Sequence, residues 1–257
     1  MRIMQLVVLG SGCSVPQSKR SSPAFWLETS AGTILLDMGG DATHRMAQEQ
    51  LAWPDLDAIW ISHFHLDHLA GLAPFLFSTK WSPQTQTRTK PLSVFGPPGL
   101  SDLVHKLNDV NNYRLFEQSF ALRVVEVEPG AEFEMLMNVR GSTFSTPHTN
   151  ESLALKLIDK DRRSIVYTSD TGMSAELSLF ATGVDLLLME CSFRRDKPLP
   201  THLELAEAMR VAKDCKPGRL LLTHFYPEWD GIDLVQEAQQ MWTGITIEAT
   251  DGLRLEI

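Results

Sequence analysis

The sequence feature that most constrains this chain is the segment His63–His68, which reads HFHLDH and contains three histidines and one aspartate. Neutral imidazole and carboxylate are the ligands that zinc and its neighbours take in proteins. Side chains two residues apart in an extended segment point to the same side, so His63 and His65 can bind one ion. Asp67 and His68 follow where the chain turns and can reach a second ion. The alternative is a cluster of loop histidines without a metal, but such a cluster would bring together imidazoles that repel one another when protonated.

The flanking residues place this segment at the end of a buried strand. The apolar run 57–61 predicts a strand, and residues 69–78 predict the start of a helix. Loops at the carboxyl ends of strands are where α/β folds put their chemistry. Asp170, Glu190 and His224 each stand just beyond another predicted strand. Together these side chains predict a metal site at one edge of a layered fold.

Apolar periodicity and turn residues predict the remaining elements. The predicted strands are residues 6–9, 24–28, 33–36, 92–95, 122–127, 133–137, 153–158, 164–168, 184–189, 219–223, 245–248 and 253–257, the last two paired with each other. The predicted helices are residues 42–50 with Asp41 as N-cap, 101–110, 174–180, 202–213 and 234–241. The polar segment 80–90 predicts a surface loop. His44 and His105 fall within predicted helices and are interpreted as surface residues.

Composition and charge narrow the classes of protein that fit. A length of 257 residues with 43% hydrophobic residues suits one large domain or two fused halves. The net charge of −9 opposes tight non-specific binding to nucleic acid. No run of 18 apolar residues exists, and residues 1–10 predict a first strand and not a signal peptide. Three cysteines without metal-type spacing suit a reducing cytoplasm.

Several motifs of the chain resemble those of the metallo-β-lactamase superfamily, and within it the ribonuclease Z-like branch. The general motifs are the histidine signature, the third motif, the bridging-aspartate motif and the last histidine, which correspond to residues 63–68, 146–149, 168–172 and 222–225. The motifs more particular to the branch are residues 69–72, residues 91–100, and residues 190–193 followed by His202. The resemblance covers most of the chain.

This resemblance implies an α/β fold, a four-layer αββα sandwich that forms one domain over residues 1–257, with two divalent metal ions at the sheet edges. One ion would take His63, His65 and His148, the other would take Asp67, His68 and His224, and Asp170 would bridge them. Zinc is expected, while manganese and iron stay open because the ligand types suit all three. The resemblance also implies a homodimer.

Three residues would carry the chemistry implied by the resemblance. Asp67 would orient or deprotonate the attacking water, and His202 would donate a proton to the leaving oxygen. Glu190 would hold His202 in the required tautomer. The resemblance therefore implies a metal-dependent hydrolase of the phosphodiesterase type, acting in the cytoplasm.

The interval between two motifs bears on the substrate. Asp170 follows His148 by only 22 positions, which leaves no room for the protruding arm that bacterial ribonuclease Z proteins carry there. With the acidic charge, this interval favours a small-molecule or short nucleic-acid phosphodiester. Three alternatives stay open: a thioesterase or lactonase on the same metals, in which His202 has no task, a true transfer-RNA 3′ processing endonuclease, and a non-catalytic binding protein that keeps only the fold.

Overall fold

Two seven-stranded sheets form the centre of the computed structural model, which describes residues 4–257. Residues 1–3, which begin the segment 1–10 predicted to contain the first strand, lie outside the described part. The first sheet has the order β14-β1-β2-β3-β4-β5-β6, with β1 Gln5–Gly10, β2 Ala24–Thr29, β3 Gly32–Leu36, β4 Ala58–Trp60, β5 Leu92–Gly96, β6 Leu122–Glu126 and β14 Arg254–Glu256. The second has the order β13-β12-β11-β10-β9-β8-β7, with β7 Glu132–Leu136, β8 Val139–Ser145, β9 Leu153–Asp159, β10 Ser164–Tyr167, β11 Leu186–Glu190, β12 Arg219–Thr223 and β13 Thr246–Glu248.

Helices cover the outer faces of both sheets. They are α1 Ala42–Gln48, α2 Leu66–Leu69, α3 Leu72–Trp81, α4 Leu100–Asp109, α5 Ala175–Phe180, α6 Leu205–Cys215 and α7 Leu234–Gln239. In β1, Leu6 belongs to the core that contains residues of both sheets. Its neighbour Val7 belongs to the core between the first sheet and the helices α1, α3 and α4. This alternation follows from the two-residue period of a strand. The predicted αββα sandwich is confirmed.

The parallel strands of each sheet bring loops to a shared edge. Strands β3, β4, β5 and β6 run parallel to one another in the first sheet. Strands β10, β11, β12 and β13 do so in the second. Parallel strands end at the same side of a sheet, so the residues that follow them can meet.

The structure corrects several sequence predictions. The last two strands do not pair with each other, because β13 lies parallel to β12 and β14 lies antiparallel to β1. Strand β8 was not predicted, and its Gly141 lies beneath the ring of Phe133, where a Cβ atom would be only 2.6 Å from the ring. Asp41 occupies the N-cap position of α1 but makes no side-chain cap hydrogen bond.

Two further corrections concern the region after the histidine segment. The helix expected at 69–78 is mostly α3, which begins at Leu72, and Leu69 instead ends the short helix α2. Between them, a Cβ atom at Gly71 would lie 2.5 Å from the Gly39 carbonyl oxygen. The segment 80–90 is not simply a surface loop. Arg88 is buried and donates hydrogen bonds to the carbonyl oxygens of Pro54, Leu56, Lys90 and Pro91. Among residues 4–257, no helix combines the length and the apolar character that crossing a membrane requires.

Candidate metal centre

Seven predicted side chains meet at the edge formed by the ends of the parallel strands. His63 and His65 lie on the loop after β4, and Asp67 and His68 lie in α2, which begins at Leu66. The other three, on loops after strands of the second sheet, are His148 after β8, Asp170 after β10 and His224 after β12. Possible ligand atoms lie within 4.8 Å of one another in three groups: His63, His65, His148 and Asp170; Asp67, His68 and His224; Asp170, His202 and His224.

Asp170 lies between the two histidine groups. Its Oδ1 is 3.3 Å from Nε2 of both His68 and His224. Its Oδ2 is 3.6 Å from His148 Nε2 and 3.9 Å from His63 Nε2. Burial opposes ionisation of this carboxyl, but the neighbouring imidazoles of His224 and His68 hold its pKa well below the usual range. The buried carboxylate therefore faces both groups.

Unpaired buried atoms show that this donor set fits metal ions. His63 Nε2 and Asp170 Oδ1 are buried and have no hydrogen-bond partner among the described residues. His148 Nε2 lies 3.1 Å from His65 Nδ1. Buried polar atoms without partners are uncommon in folded proteins, and a nitrogen lone pair facing another nitrogen is unfavourable unless a proton or cation lies between them. Divalent cations would satisfy these atoms.

The pKa values of the buried histidines bear on their use as ligands. Burial, with the charge of His68, lowers the pKa of His63 well below its ordinary value. Burial also lowers the pKa of His148. Burial opposes the protonation of His68, but the carboxylates of Asp170 and Asp37 raise its pKa well above the ordinary value. Because a ligand nitrogen must be free of its proton, an ion binding at His68 must displace one.

Asp37 is a residue that the sequence analysis missed. Its side chain is fully buried, and its Oδ2 accepts hydrogen bonds from His68 Nδ1 (2.6 Å), Ser62 Oγ (2.7 Å) and Tyr167 OH (2.6 Å). Its Oδ1 accepts from the Ser62 amide (2.7 Å), and its φ is 55°, unusual for a residue other than glycine. The signal was available, because Asp37 directly follows the buried strand β3, as Asp170 and His224 follow theirs.

Other histidines of the centre are also oriented through Nδ1. Their partners are Ser62 Oγ for His63 (3.1 Å), the Thr201 carbonyl oxygen for His148 (3.0 Å) and Ser192 Oγ for His224 (2.9 Å). The Ser192 hydroxyl donates to Glu190 Oε2 (2.6 Å), so its oxygen is free to accept from His224. Such bonds fix the tautomer of a metal-binding histidine and leave Nε2 without a proton.

His202 and Glu190 form a buried pair beside these groups. Only 5% of His202 is exposed, and its Nδ1 lies 2.9 Å from Glu190 Oε1. Its ring centroid is 4.8 Å from that of His148 and 5.4 Å from that of His224. Burial opposes protonation of His202, but the hydrogen bond and charge of Glu190 raise its pKa above the ordinary value.

The position of His202 differs from the prediction of a helix start. Helix α6 begins at Leu205, because a capping box between Glu204 and Glu207 starts it there. His202 therefore lies on the preceding loop, which brings it to the metal centre. His44 and His105 are exposed, which confirms their interpretation as surface residues.

The fold and the gathered metal-ligand side chains define a metal-dependent hydrolase of the metallo-β-lactamase fold, in the ribonuclease Z-like branch. The protein YhfI from Bacillus subtilis matches with a TM-score of 0.84 and 23% identity, over 100% of both chains. The short form of human tRNase Z matches with a TM-score of 0.80 and 22% identity, over 99% of both chains. The ribonuclease Z of Brevibacillus brevis is 29% identical over 93% of this chain and 92% of its own length.

A more particular assignment comes from a family model. The model described as anti-Pycsar protein Apyc1 matches residues 4–243, and the chain belongs to this family. A diphosphatase of the PhnP family is similar in structure, with a TM-score of 0.75 and 21% identity, over 99% of this chain and 98% of that chain.

Proposed function

We propose that this protein is a binuclear metal-dependent phosphodiesterase that acts on small phosphodiesters. The observation that carries the proposal is the His202–Glu190 pair, a buried proton donor and its holder beside the ligand groups. A phosphodiester with an alkoxide leaving group needs a proton as the bond breaks, and a positioned histidine supplies it. The thiolate of a thioester leaves with little protonation, so a thioesterase would give such a donor no task.

The proposed ligand sets are His63, His65 and His148 for one ion, Asp67, His68 and His224 for the other, and Asp170 for both. The grouping of their ligand atoms and the unpaired His63 Nε2 and Asp170 Oδ1 support this assignment. Two divalent ions, when bound in such a site, supply Lewis acidity to the phosphoryl oxygens and lower the pKa of water. Zinc is the proposed metal, and manganese and iron are the alternatives because imidazole and carboxylate suit all three.

The chain's own residues then move two protons. Burial opposes ionisation of Asp67, but its contact with His224 and the charge of His68 lower its pKa, so Asp67 is a carboxylate that can accept a proton from water. His202 gives a proton to the leaving oxygen as its bond to phosphorus breaks. Water supplies the new oxygen on phosphorus, and the products are a phosphomonoester and an alcohol. Glu190 holds the proton on His202 Nδ1, so Nε2 is the atom that transfers.

The loops of the structure support a small substrate over precursor transfer RNA. The 22 positions from His148 to Asp170 are filled mainly by β9 and β10, which form neighbouring strands of the second sheet. The segment 80–90 does not replace an arm, because α3 continues to Trp81 and Arg88 anchors the segment to the body of the protein. The acidic net charge also opposes a long polyanionic substrate.

Chelator-stripped protein reloaded with zinc, manganese or iron(II) would test the proposal. The substrates are bis(4-nitrophenyl) phosphate, a cyclic nucleotide, a thioester, a lactone and a precursor transfer RNA. We expect turnover of small diesters and weak or absent cleavage of the precursor. Faster turnover of the thioester or lactone than of the diesters would show that the protein is a thioesterase or lactonase. Accurate 3′ cleavage of the precursor would instead establish it as the processing endonuclease.

A further inference from the structure

A cleft of about 620 Å³ opens beside the candidate metal centre. One proposed ligand of each ion, His65 and Asp67, lies in its wall, so a group bound there is next to both ions. The volume is within the range of small-molecule sites. His202 does not line the cleft, so the group bound there is not the one that receives the proton.

The rest of the wall is uncharged. Ser14 and Ser22 contribute hydroxyl groups, and Leu66 contributes an apolar side chain that is 73% exposed. No lysine or arginine is among the described residues that line the cleft. A second phosphate in this place would meet the carboxylate of Asp67 and no lysine or arginine side chain. The wall therefore suits an uncharged group with polar atoms and one apolar face.

Close backbone packing holds the cleft in shape. A Cβ atom at Gly39 would lie 2.6 Å from Ser22 Cβ, and one at Gly10 would lie 1.8 Å from the Ser22 carbonyl oxygen. The neighbouring Ser21 amide donates to Asp251 Oδ2 at 2.8 Å. These contacts fix the wall at Ser22.

Gly40 is different from these packed glycines. A Cβ atom at Gly40 would have nothing within 4 Å, and its backbone is not in the left-handed region. Gly130, Gly183 and Gly231 have equal space, but each has a positive φ. Gly40 is thus the described glycine at which an added Cβ atom meets neither a neighbouring atom nor backbone strain, and it lines the cleft.

We propose that this cleft binds the uncharged organic group that stays on phosphorus, and that Leu66 and Gly40 determine the size of that group. The inference rests on the proposed phosphodiesterase function and adds the residues that select its substrate. Leu66 gives the apolar face of the group a surface on which to pack. Gly40 leaves the space that the group fills.

Three diesters with one leaving group test the inference: methyl 4-nitrophenyl phosphate, thymidine 5′-(4-nitrophenyl phosphate), and the latter with an added 3′-phosphate. The readout is the ratio of kcat/KM between substrates, which cancels a general loss of active protein. In the wild type we expect a preference for the thymidine ester over the methyl ester, and a loss of about tenfold on adding the 3′-phosphate. Both Gly40→Leu and Leu66→Ala should reduce the preference for the thymidine ester by about tenfold, the scale of a changed apolar contact.

Leu179→Ala is the matched control, because Leu179 is 76% exposed and does not line the cleft. Its substrate ratios should equal those of the wild type. Unchanged ratios in both cleft variants, or a preference for the added 3′-phosphate, would overturn the inference while leaving the phosphodiesterase function in place. Failure of the metal-loaded wild type to cleave any of the diesters would instead overturn the proposed function, and the inference with it.

Discussion

Replacement of His202 by alanine separates the phosphodiesterase from its rival hydrolases. The substitution removes the 2.9 Å hydrogen bond to Glu190 and the ring that packs between His148 and His224. His202 is not one of the seven proposed ligands, so the variant should keep its full metal content. Any change in turnover then reports the missing proton donor.

The structure indicates that the variant remains folded. Glu190 Oε1 still accepts from the Thr171 amide (2.7 Å), and Oε2 still accepts from Ser192 Oγ (2.6 Å) and the Leu203 amide (3.1 Å). The carboxylate is therefore not left unpaired, which would cost about 3–5 kcal/mol. The loss of a buried ring leaves an expected cost of about 1–3 kcal/mol, which the melting temperature would record.

The effect on turnover should depend on the leaving group. A diester with an alkoxide leaving group should lose about 10²-fold or more in kcat, because it needs the proton that a general acid supplies. A nitrophenolate leaves with little protonation and should lose much less. Since Glu190 raises the pKa of His202, the wild type should be active on the alkoxide diester while His202 is protonated. Its activity should fall as the pH rises through that pKa, and the variant should lack this fall.

Metal analysis and a matched control make the result interpretable. The control is His44→Ala, which removes an exposed histidine. Among the described residues, the His44 side chain forms a hydrogen bond only with Gln48, so this variant should behave as the wild type. Equal losses on both diesters with metal retained would show that His202 binds or orients substrate instead of donating a proton. No loss on either diester would refute its catalytic role and favour the thioesterase or lactonase.

Two other substitutions test the metal centre. Asp170→Ala should lose both ions or nearly so, because its two carboxylate oxygens face the two histidine groups. Elemental analysis of the metal-replete wild type should give about two ions per chain. One ion or none in the wild type would refute the binuclear assignment. Asp37→Asn should weaken the ion at His68 by about 10–100-fold, the usual effect of losing a carboxylate behind a ligand. Metal titration of the folded variant checks this, and an unchanged affinity would reduce Asp37 to a purely structural role.

The candidate site was predictable from sequence because coordination imposes a local pattern. Ligands at strand ends appear as polar residues just after apolar runs, and β12, an apolar run before His224, has the bounds that the sequence predicted. Pairing between distant strands leaves no such local mark. The two final strands were therefore assigned to each other, although β13 and β14 lie in different sheets. Strand β8 escaped detection because Gly141 and Ser142 interrupt its apolar pattern.

The residues behind the ligands were harder to predict because their partners come from the other sheet. Asp37 follows β3 of the first sheet, but Tyr167, which donates to it, is the last residue of β10 in the second. The Ser169 hydroxyl likewise donates to Ser62 across the two sheets at 2.6 Å. Only the packed sandwich brings these groups together, so a sequence pattern can single out Asp37 by its place after a strand but cannot show its contact with Tyr167.

The division of the proposed ligands between the two sheets connects the fold to its proposed chemistry. The first sheet supplies His63, His65, Asp67 and His68, and the second supplies His148, Asp170 and His224. Each proposed ion thus takes ligands from both sheets, and Asp170 joins the two sets. A complete site exists only when the sheets are packed, and ions that bind only this state stabilise it by mass action. With its ions bound, the proposed metal centre would therefore be both the site of hydrolysis and a link between the two sheets at their shared edge.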